Sequence, residues 1–261
     1  HDIEHPSVKA CLEFLKIEKG IELVHTGDVP AMSGVGSSSA FTVGLLHSLY
    51  ALSGQFMTKR KLAYEAIDIE QNIIGERVGS QDQVAAAFGG FNIIEFFKDD
   101  RIIVQPLTLR NSRIKELEDS LVLFFTGISR TASEIAETQI SNTPNKIKEL
   151  DKMKQMVDQA VEILCEESTP LDEFGLLLNE SWKIKRSMSN KISTDLIDSV
   201  YDRGINAGAL GGKLLGAGGG GFIMFFTPPN KKQKLINELS DLLHVPFHFE
   251  SMGSHIVHYS Q

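Results

Sequence analysis

Three stretches of this sequence place polar or glycine residues where a ligand or a tight backbone turn needs them. The first is Ser33-Gly34-Val35-Gly36-Ser37-Ser38-Ser39, which runs straight into an apolar helix. Two glycines let the backbone curl, and the turn then presents N–H groups at a helix N-terminus. That geometry holds phosphate through oriented amides and the helix dipole. The serine hydroxyls add groups that can ligate Mg²⁺ or contact phosphate oxygens. A serine N-cap after a glycine loop explains the same letters. Pro30 upstream and three consecutive serines opening an apolar helix weigh toward the anion site. The stretch is not a Walker loop, because Gly-Lys occurs only at Gly212-Lys213 and Leu214 follows where Ser or Thr is required.

The second stretch, residues 204–221, holds nine of the 22 glycines and ends KLLGAGGGGF. Gly216, Gly218 and Gly221 match the dinucleotide spacing G-x-G-x-x-G. That fingerprint follows a strand and opens a helix, whereas these glycines precede the strand-like run Phe222–Phe226. A loop nearly free of side chains, flanked by apolar residues, reads instead as backbone that approaches a ligand closely. The third stretch carries two carboxylates. Glu70 falls seven residues after Ala63 on an apolar helical stripe, so it is expected to be buried. A buried carboxylate needs a cation, most simply Mg²⁺ or an arginine such as Arg77. Asp82 opens a helical turn and reads either as an N-cap or as the acceptor of a hydroxyl proton beside an anion site. A weaker cluster, Lys183, Lys185, Arg186 and Lys191, reads as a solvated helix face or as a site for a second, substrate-borne phosphate. Arg130 stands after a strand and could join it.

The elements that carry these residues alternate in clusters rather than strictly. A strand at 21–24 is expected, then a helix at 40–52 and another at 59–74 with Thr58 as N-cap. A hairpin follows at 91–96 and 101–107, with Asp99-Asp100 at its tip. The polar stretch 110–120 reads as a separator before a buried strand, Leu121–Phe125. Long helices come next, and strand, helix, strand at 222–226, 231–243 and 255–259 close the chain. Clustering of this kind favours α+β over a doubly wound sheet.

The chain's 261 residues allow one large or two modest domains. Its 26 cations against 34 anions give a net charge of −8, which disfavours nonspecific binding to nucleic acid or a membrane surface. Two cysteines, Cys11 and Cys165, are too few and too distant for a disulfide framework, so a cytoplasmic location is expected. The eight histidines show no metal-ligand spacing.

Taken together, PAMSGVGSSSA, IEQNIIGERVGSQDQ and KLLGAGGGGF, in that order, resemble the three motifs of the GHMP kinase family. At finer grain, VGSQDQVAAAFGGFN, FFTGISR and GALGGKLLGAGGGGF are similar to its bacterial heptose 7-phosphate kinases. The resemblance implies a two-domain fold. An amino-terminal part like ribosomal protein S5 domain 2 is expected over 1–109, and a ferredoxin-like part over 110–261. It also implies an enzyme that uses ATP and Mg²⁺ to phosphorylate the anomeric hydroxyl of D-glycero-D-manno-heptose 7-phosphate, giving the 1,7-bisphosphate for nucleotide-activated heptose and surface polysaccharide.

By motif position, Asp82 is the implied base, and Ser38 and Glu70 hold Mg²⁺. Ser33, Gly34, Val35, Gly36, Ser37 and Ser38 wrap the triphosphate, and Gly218, Gly219 and Gly220 close over the phosphates. Arg130, Lys185, Arg186 and Gly218 face the acceptor. Ser39 stands where many family members carry alanine. The family's further amino-terminal segment is not found here, so the first strands of that domain are expected to be missing. Two other readings stay open: a fucokinase- or galactokinase-like enzyme for an unphosphorylated sugar, and a catalytically silent sugar- and ATP-binding protein.

Overall fold

The computed structural model describes residues 3–30, 33–128 and 132–260, without the side chains of residues 132–134. The chain folds as two units. The first comprises His1–Ala31, Gly36–Leu107 and Phe249–Gln261, and the second comprises Met32–Val35 and Thr108–His248. A single cut at 109/110 therefore differs from these units at three places: residues 32–35 and 108–109 go with the second, and 249–261 with the first.

In the first unit, α1 (Pro6–Phe14) begins with proline at the helix start, where its missing N–H costs nothing. α2 (Ser37–Leu52) follows Gly36, whose φ of 73° is a left-handed turn open to glycine. Its inward stripe is Ser39, Thr42, Val43, Leu46, Leu49 and Tyr50. α3 (Lys59–Asp68) is capped by Thr58, whose hydroxyl accepts from Lys61 N at 3.2 Å. The sequence predicts one helix to residue 74, but the last six residues, Ile69–Ile74, form a π turn ending at Gly75. The widened turn shifts the inward face. Ile69 and Glu70 are buried, while Ile73, expected on the apolar stripe, is 45% exposed. α4 (Gln81–Phe88) leads to an antiparallel hairpin, β1 (Asn92–Phe96) and β2 (Ile102–Pro106). Val43, Leu46, Leu62, Ala66, Ile69 and Val84 centre the core, and Ile94, Ile102 and Val104 of the hairpin pack against it.

The carboxy-terminal segment joins this unit through backbone bonds, from Gly90 N to Glu250 O (3.0 Å) and from Ser254 N to Ala86 O (2.8 Å). Lys59 Nζ donates to the carbonyls of Phe88 and Met252 at 2.7 and 2.6 Å. The strands expected at 21–24 and 255–259 do not form. Each lacks a ladder partner among the described residues, and Val24 and Val257 lie open to solvent.

The second unit contains α5 (Asn111–Ser120), β3 (Leu121–Phe125), α6 (Ala132–Asn142), α7 (Ile147–Cys165) and α8 (Asp172–Ser187). α9 (Asp195–Ala207), β4 (Gly211–Leu214), β5 (Phe222–Phe226), α10 (Lys232–Glu238) and β6 (Leu243–His244) follow. The stretch 110–120, read as a separator, is instead mostly helix. Buried Leu117 anchors it, and Arg113 Nη2 donates to the carbonyls of Ile163 and Thr169 at 2.7 and 2.8 Å.

The sheet is fully antiparallel in the order β4-β5-β3-β6. Counted within the unit this is 2-3-1-4, the ferredoxin-like arrangement of β-α-β-β-α-β. One sheet face, with Val122, Phe124, Leu214, Ile223 and Phe225, packs on α8 and α9 through Trp182 and Tyr201. Among the described residues no helix is long and apolar enough to cross a membrane.

Candidate functional site

In the first unit the polar residues meet where α2, the π turn and α4 come together. Glu70 is 1% exposed. Its Oε2 accepts from Ser39 Oγ at 2.8 Å and also, in a short contact, from Gln83 Nε2. Ser39 lies on the buried stripe of α2, and Gln83, with Val84 and Ala87, on the buried side of α4. Both donors are neutral, and Glu70 Oε1 has no hydrogen-bond partner among the described residues. The Oε1 atom of Gln83 has none either.

The carboxylate's field reaches its neighbours. Burial, and then the Glu70 charge, push the Cys11 thiol up to about 12. Burial and the same charge raise Glu76, partly offset by His5. Asp82 sits in the first turn of α4, exposed, and Ser80 rather than Asp82 holds the N-cap position. Its carboxylate lies against the start of α2: a Cβ built on Gly36 would stand 3.1 Å from Asp82 Cγ and 3.2 Å from Oδ2.

These residues fit a divalent cation. A buried carboxylate oxygen without a donor is costly alone and is satisfied by a hard metal ion. Among the described residues no three His, Cys, Asp or Glu side chains converge as a metal cluster. Mg²⁺ commonly uses one or two carboxylates together with substrate phosphates, and Glu70 can supply one. By motif position the family resemblance pairs Glu70 with Ser38. The hydroxyl on Glu70 is that of Ser39, whereas Ser38 is exposed and its carbonyl accepts from Thr42 Oγ1 at 3.2 Å. In the sequence Ser39 stands out only as a departure from the family's alanine and Gln83 carries no role, although polar residues at buried helical positions are signal enough.

In the second unit the site residues belong to backbone. Gly34, at φ 78°, lies against the loop between β4 and β5. A Cβ on Gly216 would stand 2.5 Å from Gly34 O, and one on Gly221 would stand 2.0 Å from Ser33 O. The next residues of that loop are equally close to their own chain. A Cβ on Gly218 would meet Ile192 O at 2.8 Å, and one on Gly220 would meet Ile128 O at 2.6 Å. The amides of Gly219 and Gly221 donate to those same carbonyls, at 2.9 and 2.7 Å. Ser33 Oγ is fully buried and has no hydrogen-bond partner among the described residues. The glycines are expected to leave room for a ligand; Gly216, Gly218, Gly220 and Gly221 also leave room for protein backbone.

The basic residues expected to face an acceptor phosphate have internal partners. Lys185 Nζ donates to Gly216 O at 2.5 Å. Arg186 Nη2 pairs with Asp198 Oδ2 at 2.6 Å, at a polar hollow of about 260 Å³ that Asp195, Asn190 and Ser193 also line. Arg130 lies outside the described residues.

Residues 6–90 match the GHMP kinases N terminal domain and residues 160–245 the GHMP kinases C terminal domain. The chain is 36% identical over 230 residues to the D-glycero-alpha-D-manno-heptose 7-phosphate kinase of Campylobacter jejuni, covering 87% of this chain and 67% of that protein. It is 26% identical to the bifunctional fucokinase/GDP-fucose pyrophosphorylase of Arabidopsis thaliana, covering 84% of this chain and 21% of that protein. Among solved structures, a D-glycero-D-manno-heptose 1-phosphate kinase from Bacteroides thetaiotaomicron superposes with a TM-score of 0.78 at 30% identity. The match covers 99% of this chain and 76% of the other. The α+β architecture, the ferredoxin-like sheet and both domain matches carry one conclusion: the chain belongs to the GHMP kinase family of phosphotransferases, whose members use ATP.

Proposed function

We propose that this protein phosphorylates the anomeric hydroxyl of D-glycero-D-manno-heptose 7-phosphate from ATP, forming the 1,7-bisphosphate that feeds nucleotide-activated heptose and surface polysaccharide synthesis. The observation that carries the reading is the buried Glu70 carboxylate, one oxygen of which has no hydrogen-bond partner among the described residues, on the same unit as an exposed Asp82 that lies against the start of α2. The similarity to the Campylobacter kinase supports the acceptor.

In this reading Ser33, Gly34, Val35, Gly36, Ser37 and Ser38 wrap the triphosphate. The left-handed turn at Gly36 and the positive end of α2 suit an anion there. Glu70 and Ser38 would hold Mg²⁺, which neutralises phosphate charge when bound. Asp82 accepts the proton of the anomeric hydroxyl as its oxygen bonds the γ-phosphorus and ADP departs. Gly218, Gly219 and Gly220 cover the phosphates, and Arg130, Lys185 and Arg186, with Gly218, hold the acceptor. Residues 1–109 and 110–261 serve as the family's two domains.

An assay of ADP release across a sugar panel tests this. Heptose 7-phosphate is expected to be the preferred acceptor. Asp82→Asn is expected to lower turnover by ~10²–10⁴-fold, with melting temperature and ATP affinity nearly unchanged. Equal loss of folding would make Asp82 a structural residue. One observation favours a second reading: Lys185 and Arg186 already have partners within the chain. Under it the acceptor is an unphosphorylated sugar such as fucose, and the same panel separates the two.

A further inference from the structure

Glu70, Ser39 and Gln83 come from three different elements, the π turn, α2 and α4, and meet at one oxygen atom. A carboxylate could share two donors between its two oxygens. Here both go to Oε2, and among the described residues Oε1 has none. Gln83 is 0% exposed, and its own Oε1 is likewise without a donor. Two buried acceptors on touching side chains therefore lack protons or positive charge, and such groups are rare unless something absent from the protein satisfies them. A hydrated divalent cation supplies both kinds of partner.

We propose that Gln83, with Ser39, is a positioning residue for Glu70: the two donors lock Oε2 and leave Oε1 as the carboxylate's open acceptor for a divalent cation. This rests on the kinase reading of the site. Gln83 neighbours Asp82 in the first turn of α4, so the helix that presents the proposed base also fixes the metal-facing carboxylate. A displacement of α4 then moves both groups together. Ser39 holds the same oxygen from α2, the helix that the phosphate loop opens. The polar side chains at these two buried positions are thereby given a task that core packing does not require.

Mn²⁺ binding, measured by calorimetry on the full chain with ADP present, tests the proposal without turnover. Glu70→Gln is expected to abolish the protein-dependent component. Gln83→Met keeps length and apolar fit but removes the donor. It is expected to weaken Mn²⁺ by ~10–100-fold while the melting temperature in EDTA stays within a few degrees. Ser39→Ala, the milder change, is expected to weaken it several-fold, and it carries the test should Gln83→Met fail to fold. Wild-type affinity in Gln83→Met and Ser39→Ala, alongside loss in Glu70→Gln, overturns the positioning role and leaves the cation site standing. Wild-type affinity in Glu70→Gln overturns the cation site and the proposal with it.

Discussion

The two units contribute candidate site residues of opposite kinds. In the first, the residues are side chains with acceptor capacity to spare: Glu70 and Gln83 each retain an unpartnered oxygen in a buried setting. In the second, the glycines around the β4–β5 loop engage their own chain. Gly216 and Gly221 lie against residues 33 and 34, and the amides of Gly219 and Gly221 are bonded to Ile192 and Ile128. One region keeps polar groups unsatisfied inside the protein, which costs stability. The other, Ser33 Oγ apart, satisfies its loop through backbone bonds and draws stability from close approach. Substitutions in the two regions should consequently fail in different measurements.

The largest effect is expected at Glu70. Glu70→Gln keeps the shape, so Ser39 and Gln83 can still donate to an amide oxygen, but the charge is lost. If Glu70 serves the phosphates through a cation, ADP release should fall by on the order of 10³-fold. Removal of an uncompensated buried charge should leave the melting temperature in EDTA unchanged or higher. A fall in activity matched by a fall in stability would erase the contrast between the regions, because Glu70 would then be structural.

Gly221→Ala probes the other region. Its Cβ would stand 2.0 Å from Ser33 O at a φ of 93°, so both steric overlap and the left-handed penalty apply. Together they predict a loss of about 2–5 kcal/mol, read from the midpoint of urea unfolding. Retained stability with lost activity would instead make this loop a ligand surface first and a packing element second.

How much of this the sequence disclosed follows from how local each feature is. Glu70 was legible because its distance from Ala63 sets its face, and the cap at Thr58 because a single side chain makes it. The α+β class followed from the clustering of elements. Ile73 was misplaced, because nothing local announces that a helix will widen into a π turn. The α5 helix was hidden by polar composition. Its anchor is Arg113, whose partners lie 50 and 56 residues away. The strands expected at 21–24 and 255–259 have suitable residues, but a strand also needs a neighbour. The loop glycines stand out in the sequence as backbone for close approach, but spacing alone does not tell a ligand's approach from the protein's own.

The smallest effect is expected within α2, and it sharpens the comparison by separating glycine as necessity from glycine as tolerance. Gly44 lies mid-helix, and a Cβ built there meets nothing within 4 Å. In contrast to Gly216 and Gly221, no close approach or left-handed φ requires it. Gly44→Ala should therefore stabilise the protein by about 0.5–1 kcal/mol through the lower entropy of the unfolded chain, with Mn²⁺ affinity unchanged. Stabilisation with intact binding would mean that α2 presents Ser39 as a rigid element. Stabilisation accompanied by weaker binding would mean that the helix must flex about Gly44 for Ser39 to hold Glu70. The first unit's site would then depend on backbone freedom as well as on its side chains.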